Sequence, residues 1–282
     1  MKTILVPVED HDSMPAVLEA ARLVARRFDA YMEGFAVQPA AADLLTVDPL
    51  SNLAISQHGD SGVEIERDAR ALFEAFMAAN EVPAAPPPSP MQPARFSQAW
   101  LGSGVEGDSF IGSHGRVFDL IVLGRPGRSP QHPRLAPLEA ALFESGRPVL
   151  VAPAAPPSEI GRNVLIAWTG STEQARTNAF AMPLLRKAQA VTVLTVEGGI
   201  APGPSGDDVA LSLIRDGVAA TAVTVARSQR TTGEAILDYA QQHGCDLLVK
   251  GAYAKSRLRQ MMFGDATRHI LANAALPILM AY

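Results

Sequence analysis

The sequence predicts an α/β protein of two doubly wound modules, each with a parallel five-stranded sheet. Three observations carry that prediction: the chain repeats itself, its strands are continuous apolar runs, and a proline-rich stretch separates the repeats. Residues 2–37, "KTILVPVEDHDSMPAVLEAARLVARRFDAYMEGFAV", run parallel to residues 162–196, "RNVLIAWTGSTEQARTNAFAMPLLRKAQAVTVLTV", both reading as strand, loop, helix, strand. Residues 118–153 and 245–282 match likewise, each an Asp-led apolar run, a glycine, a variable loop, a helix and a short closing strand near a proline. Runs such as Leu120–Leu123 and Leu247–Val249 lack the polar alternation of a strand with one wet face, so helices must cover both faces of the sheet. The junction "APAAPPSEIGR" (152–162) can continue neither a ladder nor a helix, which places the boundary near residue 156 and the modules at 1–155 and 156–282.

The first module opens with strand, helix and strand over 2–37, then departs from the repeat in an insertion over 38–93. Within the insertion, Ile65, Ala69, Leu72, Phe73 and Phe76 are spaced for a helix over 61–80. The following "VPAAPPPSPMQP" reads as a stiff polyproline-like connector that spaces this helix from the next strand. "GSGVEGDSFIGSHG" (102–115) then follows an apparent strand. Its one G-x-G-x-x-G (Gly102, Gly104, Gly107) lies in the third strand-to-helix loop, with no ribose-binding acid at the usual distance.

The second module reads as strands over 163–168, 191–197, 219–226, 246–250 and 277–281, with helices over 172–187, 207–216, 231–242 and 265–274. Ser171 followed by Gln174 is spaced as a capping box, Gly244 suits a helix stop, and Pro183 is expected to kink the first helix.

Composition narrows the function. The 282 residues are 48 % hydrophobic with a net charge of −5, which argues against a nucleic-acid surface built on clustered Lys and Arg. A lone cysteine, Cys245, forms no internal disulfide and suits a reducing compartment. The N-terminus lacks a leader-like apolar core and no apolar run is long enough to span a bilayer, so a cytoplasmic protein without membrane partners is expected. Six scattered histidines show no metal-ligand spacing, and neither G-x-S-x-G nor a full P-loop appears.

In an open parallel sheet the ligand lies beyond the carboxyl ends of the strands where strand order reverses, which singles out the loops after the first and fourth strands. In the second module the fourth-strand loop, "GAYAKSRLRQMMFGDATRHIL", runs from Gly251 through Ala254 to Gly264, Asp265, Ala266 and Thr267 at the start of the last helix. Free N–H groups at that helix start favour an anion, and Lys255, Arg257, Arg259 and Arg268 add positive charge.

These residues carry a resemblance: over nearly its whole length the chain is similar to tandem universal stress proteins. Members that bind ATP have Gly, two residues, Gly, nine residues, Gly and then Ser or Thr, with an Asp closing the first strand. The second module keeps Gly251 and Gly264 at that spacing but has Ala254, Asp265 and Thr169 in place of the middle glycine, the hydroxyl residue and the strand-ending Asp. The first keeps Gly124 and Gly127 but has Pro137 where the third glycine belongs, and its first strand ends in Glu9 and Asp10. The resemblance implies the adenine nucleotide alpha hydrolase-like fold and an internal pseudo-dimer with the closing strands near its interface, an arrangement compatible with a further homodimer. It also implies that ATP or a related nucleotide, with Mg²⁺, would be held by Ala167, Trp168, Thr169, Val196, Gly251, Ala254, Arg257, Gly264, Asp265, Ala266 and Thr267.

Asp265 decides how that site works. As an N-cap its carboxylate would satisfy the helix start for about 1 kcal/mol. It would then sit where a phosphate belongs, and like charges 4 Å apart repel by about 4 kcal/mol at an effective dielectric near 20. Three functions follow: a stress-response module that binds a nucleotide in its second half; an interaction module that has abandoned nucleotide and meets protein partners through its surface and the 38–93 insertion; and a slow ATP hydrolase. The third has only Asp265, Glu9 and Asp10 as candidate bases, so a non-enzymatic role is expected.

Overall fold

The computed structural model describes residues 1–38, 58–87, 89, 93–102, 107–127, 129, 131–198, 201–227, 229–252 and 263–282. They form two compact units, Met1–Arg147 and Pro148–Tyr282.

The first unit runs β1 (Thr3–Val8), α1 (Met14–Phe28), β2 (Tyr31–Ala36), α2 (His58–Ala79), β3 (Ser97–Trp100), α3 (Ser109–Gly115), β4 (Leu120–Gly124) and α4 (Leu135–Glu144). Its strands pair in parallel in the order β3-β2-β1-β4. Ile4, Leu5, Val6 and Leu120–Val122 are fully buried, as strands covered on both faces require. Helix α1 buries Val17, Ala21 and Val24 and ends on Asp29 in the left-handed region at φ 49°. Helix α2 lies where the apolar spacing predicts it and buries Ala69, Phe73 and Met77, while Ile65 is exposed. The start of the polyproline-like connector pairs with β3, Ala85 N–H donating to Gln98 O at 2.7 Å and Gln98 N–H to Pro83 O at 2.9 Å. It therefore covers the edge of β3 as well as spacing two elements.

The second unit runs β5 (Val149–Ala152), β6 (Asn163–Trp168), α5 (Thr172–Leu185), β7 (Ala190–Val196), α6 (Gly206–Arg215), β8 (Ala220–Val225), α7 (Thr232–Gln242), β9 (Leu247–Val249), α8 (Asp265–Asn273) and β10 (Ile278–Met280). The strand order is β5-β10-β9-β6-β7-β8, parallel except for β5 against β10. The closing strands of the two repeats thus pair directly, Val151 opposite Ile278 and Val149 opposite Met280. Because β7 and β8 lie on one side of β6 and β9 and β10 on the other, strand order reverses between β6 and β9. The ligand crevice of such a sheet opens there.

The aspartate that leads each repeated apolar run has a structural task. Asp246 accepts the N–H groups of Gly161, Arg162 and Asn163 at 2.6, 2.9 and 2.9 Å, fixing the entry to β6. Asp119 does the same for Lys2 and Thr3 ahead of β1.

The expected capping box at Ser171 is half present. Ser171 Oγ accepts from Gln174 N at 3.2 Å, but the Gln174 side chain turns into the core. Helix α7 carries a full box between Thr231 and Glu234, and Gly244 follows it at φ 60°. Pro183 lies in the last turn of α5, which stops at Leu185.

Candidate functional site

A cavity of about 750 Å³ opens at the β6/β9 crevice of the second unit. Its wall comes from four regions: Thr169 and Ser171 after β6, Ala201 after β7, Arg227 and Gln229 to Thr232 between β8 and α7 with Ile236 on α7, and Lys250 with Gly264 to Thr267 around β9 and the start of α8. Gly170 shapes the first, since it sits at φ 75° and an added Cβ would lie 2.7 Å from Ala201 O. A side chain there would push the two walls apart.

The helix N-termini facing this space differ in one decisive respect. Ser171 Oγ caps α5, and the Glu234 carboxylate closes the start of α7 by accepting from Thr231 N at 2.7 Å. Helix α8 has Gly264 at its N-cap position, which offers no side chain to cap it. Its first N–H groups, on Asp265, Ala266 and Thr267, have no acceptor within the helix and lie at the cavity wall. An anion is the natural partner for them.

Asp265 does not compete for that place. It is the first residue of the helix rather than its cap, its carboxylate is 90 % exposed, and it pairs with Arg268.

The sequence-predicted residues separate into three groups. Thr169, Gly264, Asp265, Ala266 and Thr267 come together at the cavity. Ala254 and Arg257 lie outside the described residues, as do Lys255 and Arg259. Ala167, Trp168, Val196 and Gly251 border the region without lining the cavity as described. Ala167 and Val196 are packed in the sheet, and Trp168 donates its indole N–H to Pro204 O at 2.9 Å. The Gly251 amide, expected to face a phosphate, donates instead to Gln174 Oε1 at 2.7 Å.

Sequence reasoning missed the segment from Arg227 to Thr232, because only the loops after the first and fourth strands were weighed, and it missed Lys250. The signal for Lys250 was present: a lysine ends the otherwise apolar run "LLVK" immediately before a glycine. The residue is 4 % exposed, Nζ donates to Gly251 O at 3.1 Å, and burial pushes its pKa down to about 8. Glu173 opposes that shift through its charge. Cys245 behaves oppositely, burial raising its thiol to about 11, so it stays protonated at neutral pH.

The corresponding region of the first unit is filled. A Cβ on Gly124 would meet Pro133 at 2.4 Å and His11 at 3.1 Å, and one on Gly127 would meet His132 at 2.5 Å. Arg134, ahead of α4, holds Asp108 through two hydrogen bonds of 2.9 and 2.7 Å and Glu9 through one of 2.8 Å. The acid that ends β1 is therefore committed to an arginine of its own chain. Pro137 lies buried in the first turn of α4, where it offers no N–H.

Among the described residues no cluster of three or more His, Cys, Asp or Glu is placed to hold a metal, and no helix is long and apolar enough to cross a membrane.

A doubly wound unit with a crevice at its switch point defines a fold class within the α/β proteins, and sequence comparison refines it. Residues 161–281 match the universal stress protein family, so the second half of the chain is a universal stress protein domain. Over the whole chain the likeness to solved structures is one of fold. A universal stress protein from Archaeoglobus fulgidus superposes with a TM-score of 0.70 at 14 % identity, covering 99 % of this chain and 95 % of that one. A functionally unknown protein from Pseudomonas aeruginosa gives 0.53 at 16 % identity, covering 100 % and 92 %. No curated protein is significantly similar in sequence.

Proposed function

We propose that this is a cytoplasmic stress-response protein whose second half binds ATP or a related nucleotide and whose first half binds none. The observation that supports the reading is the uncapped start of α8 at the wall of a 750 Å³ cavity, with Arg227, Arg230 and Lys250 on the same wall. Phosphate oxygens would accept from the amides of Asp265 to Thr267, and Thr169 and Thr231 would offer hydroxyl or backbone partners to the remainder of the ligand. A bound nucleotide would bring its own charge and Mg²⁺. The chain's part is to bind and orient it, which suits a sensor better than a catalyst.

The test is release and chromatography of whatever gently purified protein carries, followed by calorimetric titration with ATP and Mg²⁺. Micromolar affinity, lost in Gly264→Val, is the expected result. Valine suits the extended Gly264 backbone (φ −66°, ψ 160°), so the variant would obstruct the anion site without straining the chain. Absence of ligand and of heat up to millimolar ATP would reject the reading. A second reading, an interaction module that uses no nucleotide, draws on the Gly251 amide being taken by Gln174 and on the filled region of the first unit. Partner binding through the surface and residues 38–93 belongs to that reading, and replacing the exposed Val63 and Ile65 of α2 with serine, which spares its buried face, should then abolish partner recovery.

A further inference from the structure

Lys250 has no role in sheet packing that an apolar residue would not fill better. Its neighbours Leu247, Leu248 and Val249 are fully buried and apolar, and the chain places an amine where that run meets the cavity. Among the described residues no carboxylate approaches Nζ within the 4.0 Å of an ion pair. Its partner is the adjacent Gly251 carbonyl, and among the described residues the other two ammonium protons have no acceptor. A buried amine so placed is held closer to its neutral, nucleophilic form than a surface lysine. With the free-site value near 8, about a tenth of it is neutral at pH 7. The start of α8 and Arg227 line the same cavity, and free helix N–H groups with a guanidinium suit an anionic group.

We propose that Lys250 is a carbonyl-capturing amine: the cavity admits a small aldehyde or ketone bearing a phosphate or carboxylate, and Nζ holds it as a reversible imine. The neutral nitrogen attacks the carbonyl carbon as the C=O π pair moves to oxygen. Both amine hydrogens then leave with that oxygen as one water, and the nitrogen lone pair completes the C=N bond. No oxidant or reductant enters. The anionic group, seated at the α8 amides, holds the carbonyl near Nζ in the manner of an intramolecular reaction.

The chain makes the test clean, because it contains four lysines, Lys2, Lys187, Lys250 and Lys255. Full-length protein is mixed with one equivalent of pyridoxal 5′-phosphate, reduced with borohydride and peptide-mapped. Glyoxylate replaces the phosphate probe in a parallel arm, and pyridoxal supplies the uncharged control. The expected result is label on Lys250 at least tenfold above the other three lysines, at least tenfold weaker with pyridoxal, and absent from that peptide in a Lys250→Arg variant that melts like the parent. Whichever anionic probe labels Lys250 identifies the preferred group. Label spread over Lys2, Lys187 and Lys255 with Lys250 unmodified, or equal labelling by pyridoxal, would overturn the proposal. The readout needs no nucleotide, so a protein that ignores ATP can pass it and one that binds ATP can fail it.

Discussion

Gln174 Oε1 accepts the Gly251 amide hydrogen at 2.7 Å, joining the first turn of α5 to the end of β9 through a fully buried side chain. Gln174 Nε2 donates onward to Asn178 Oδ1 at 2.9 Å, so the amide is satisfied at both ends. The glycine is needed for this closeness. A Cβ at 251 would stand 2.6 Å from Gln174 N and 2.9 Å from Glu173 C, which are backbone atoms that cannot swing aside. Gly251→Ala should therefore cost about 2–3 kcal/mol and lower Tm by roughly 5–10 °C. Gln174→Met should cost about 1–3 kcal/mol by leaving the Gly251 amide unpaired. Thermal denaturation of both variants checks this, and an unchanged Tm for Gly251→Ala would refute the packing.

Asp265 offers a sharp contrast between two placements. Were its carboxylate at the anion site, its removal would improve anion binding about a thousandfold, the counterpart of about 4 kcal/mol of repulsion. Exposed and paired with Arg268, it is instead expected to be nearly silent. Asp265→Asn should change stability by less than about 0.5 kcal/mol, and ATP affinity by less than about threefold. Calorimetry on the variant distinguishes the two placements directly.

In the first unit, Arg134→Met should strand Glu9 and Asp108, whose side chains are 14 % and 11 % exposed. Because Arg134 itself is 37 % exposed, the expected loss lies between the surface and buried limits, on the order of 2 kcal/mol. The deficit has a pH signature. Desolvation already raises the Glu9 pKa against the lowering by Arg134, and removing the arginine raises it further. A carboxyl with a raised folded pKa binds more protons folded than unfolded, so the variant loses stability as pH rises through that pKa and recovers it on acidification. Denaturant titrations at pH 4.5 and 7 should show the gap between variant and parent narrowing at the lower pH.

Lys250→Met should stabilise the protein at neutral pH. The lysine pKa falls from 10.5 to about 8 on folding, so the unfolded chain binds more protons across that interval and wild-type stability rises with pH between those values. Below pH 8 the full penalty, about 3 kcal/mol as an upper bound, weighs on the folded state. The charges around the amine are Glu173 on α5, Arg227 and Arg230 before α7, and Asp265 on α8, and none approaches it as an ion-pair partner among the described residues. The variant should gain about 1–3 kcal/mol at pH 7, and the gain should fade between pH 8 and 10.5. A destabilised variant would mean that the ammonium has a partner in the folded chain.

The parts of this molecule that were readable in advance are those set by periodicity. Continuous runs such as Leu120–Leu123 announce buried parallel strands, and Gly244 is a local signal with a local outcome. The site was harder because its logic is spatial. Ser171 and Gln174 have the spacing of a capping box, yet Gln174 gains more from the Gly251 amide, 77 positions away, than from its own helix start. Asp265 looked like a cap because it follows Gly264, but the helix begins one residue earlier than a capping aspartate would need. Arg227 and Arg230 reach the cavity through the crossing of β8 into α7, which no motif marks.

The pairing of β5 with β10 makes the unit of inheritance differ from the unit of cooperativity. The sequence repeats with a boundary after β5, but that strand contributes its ladder to the compact unit that follows. A protease cut within the proline-rich junction at 153–160 would break the chain without freeing β5, which hydrogen bonds would still hold against Ile278–Met280. Conversely, a fragment begun after the junction would present β10 with an open edge, inviting another chain to supply the missing strand. Division of the gene at its internal symmetry would thus yield a sticky half rather than an independent one.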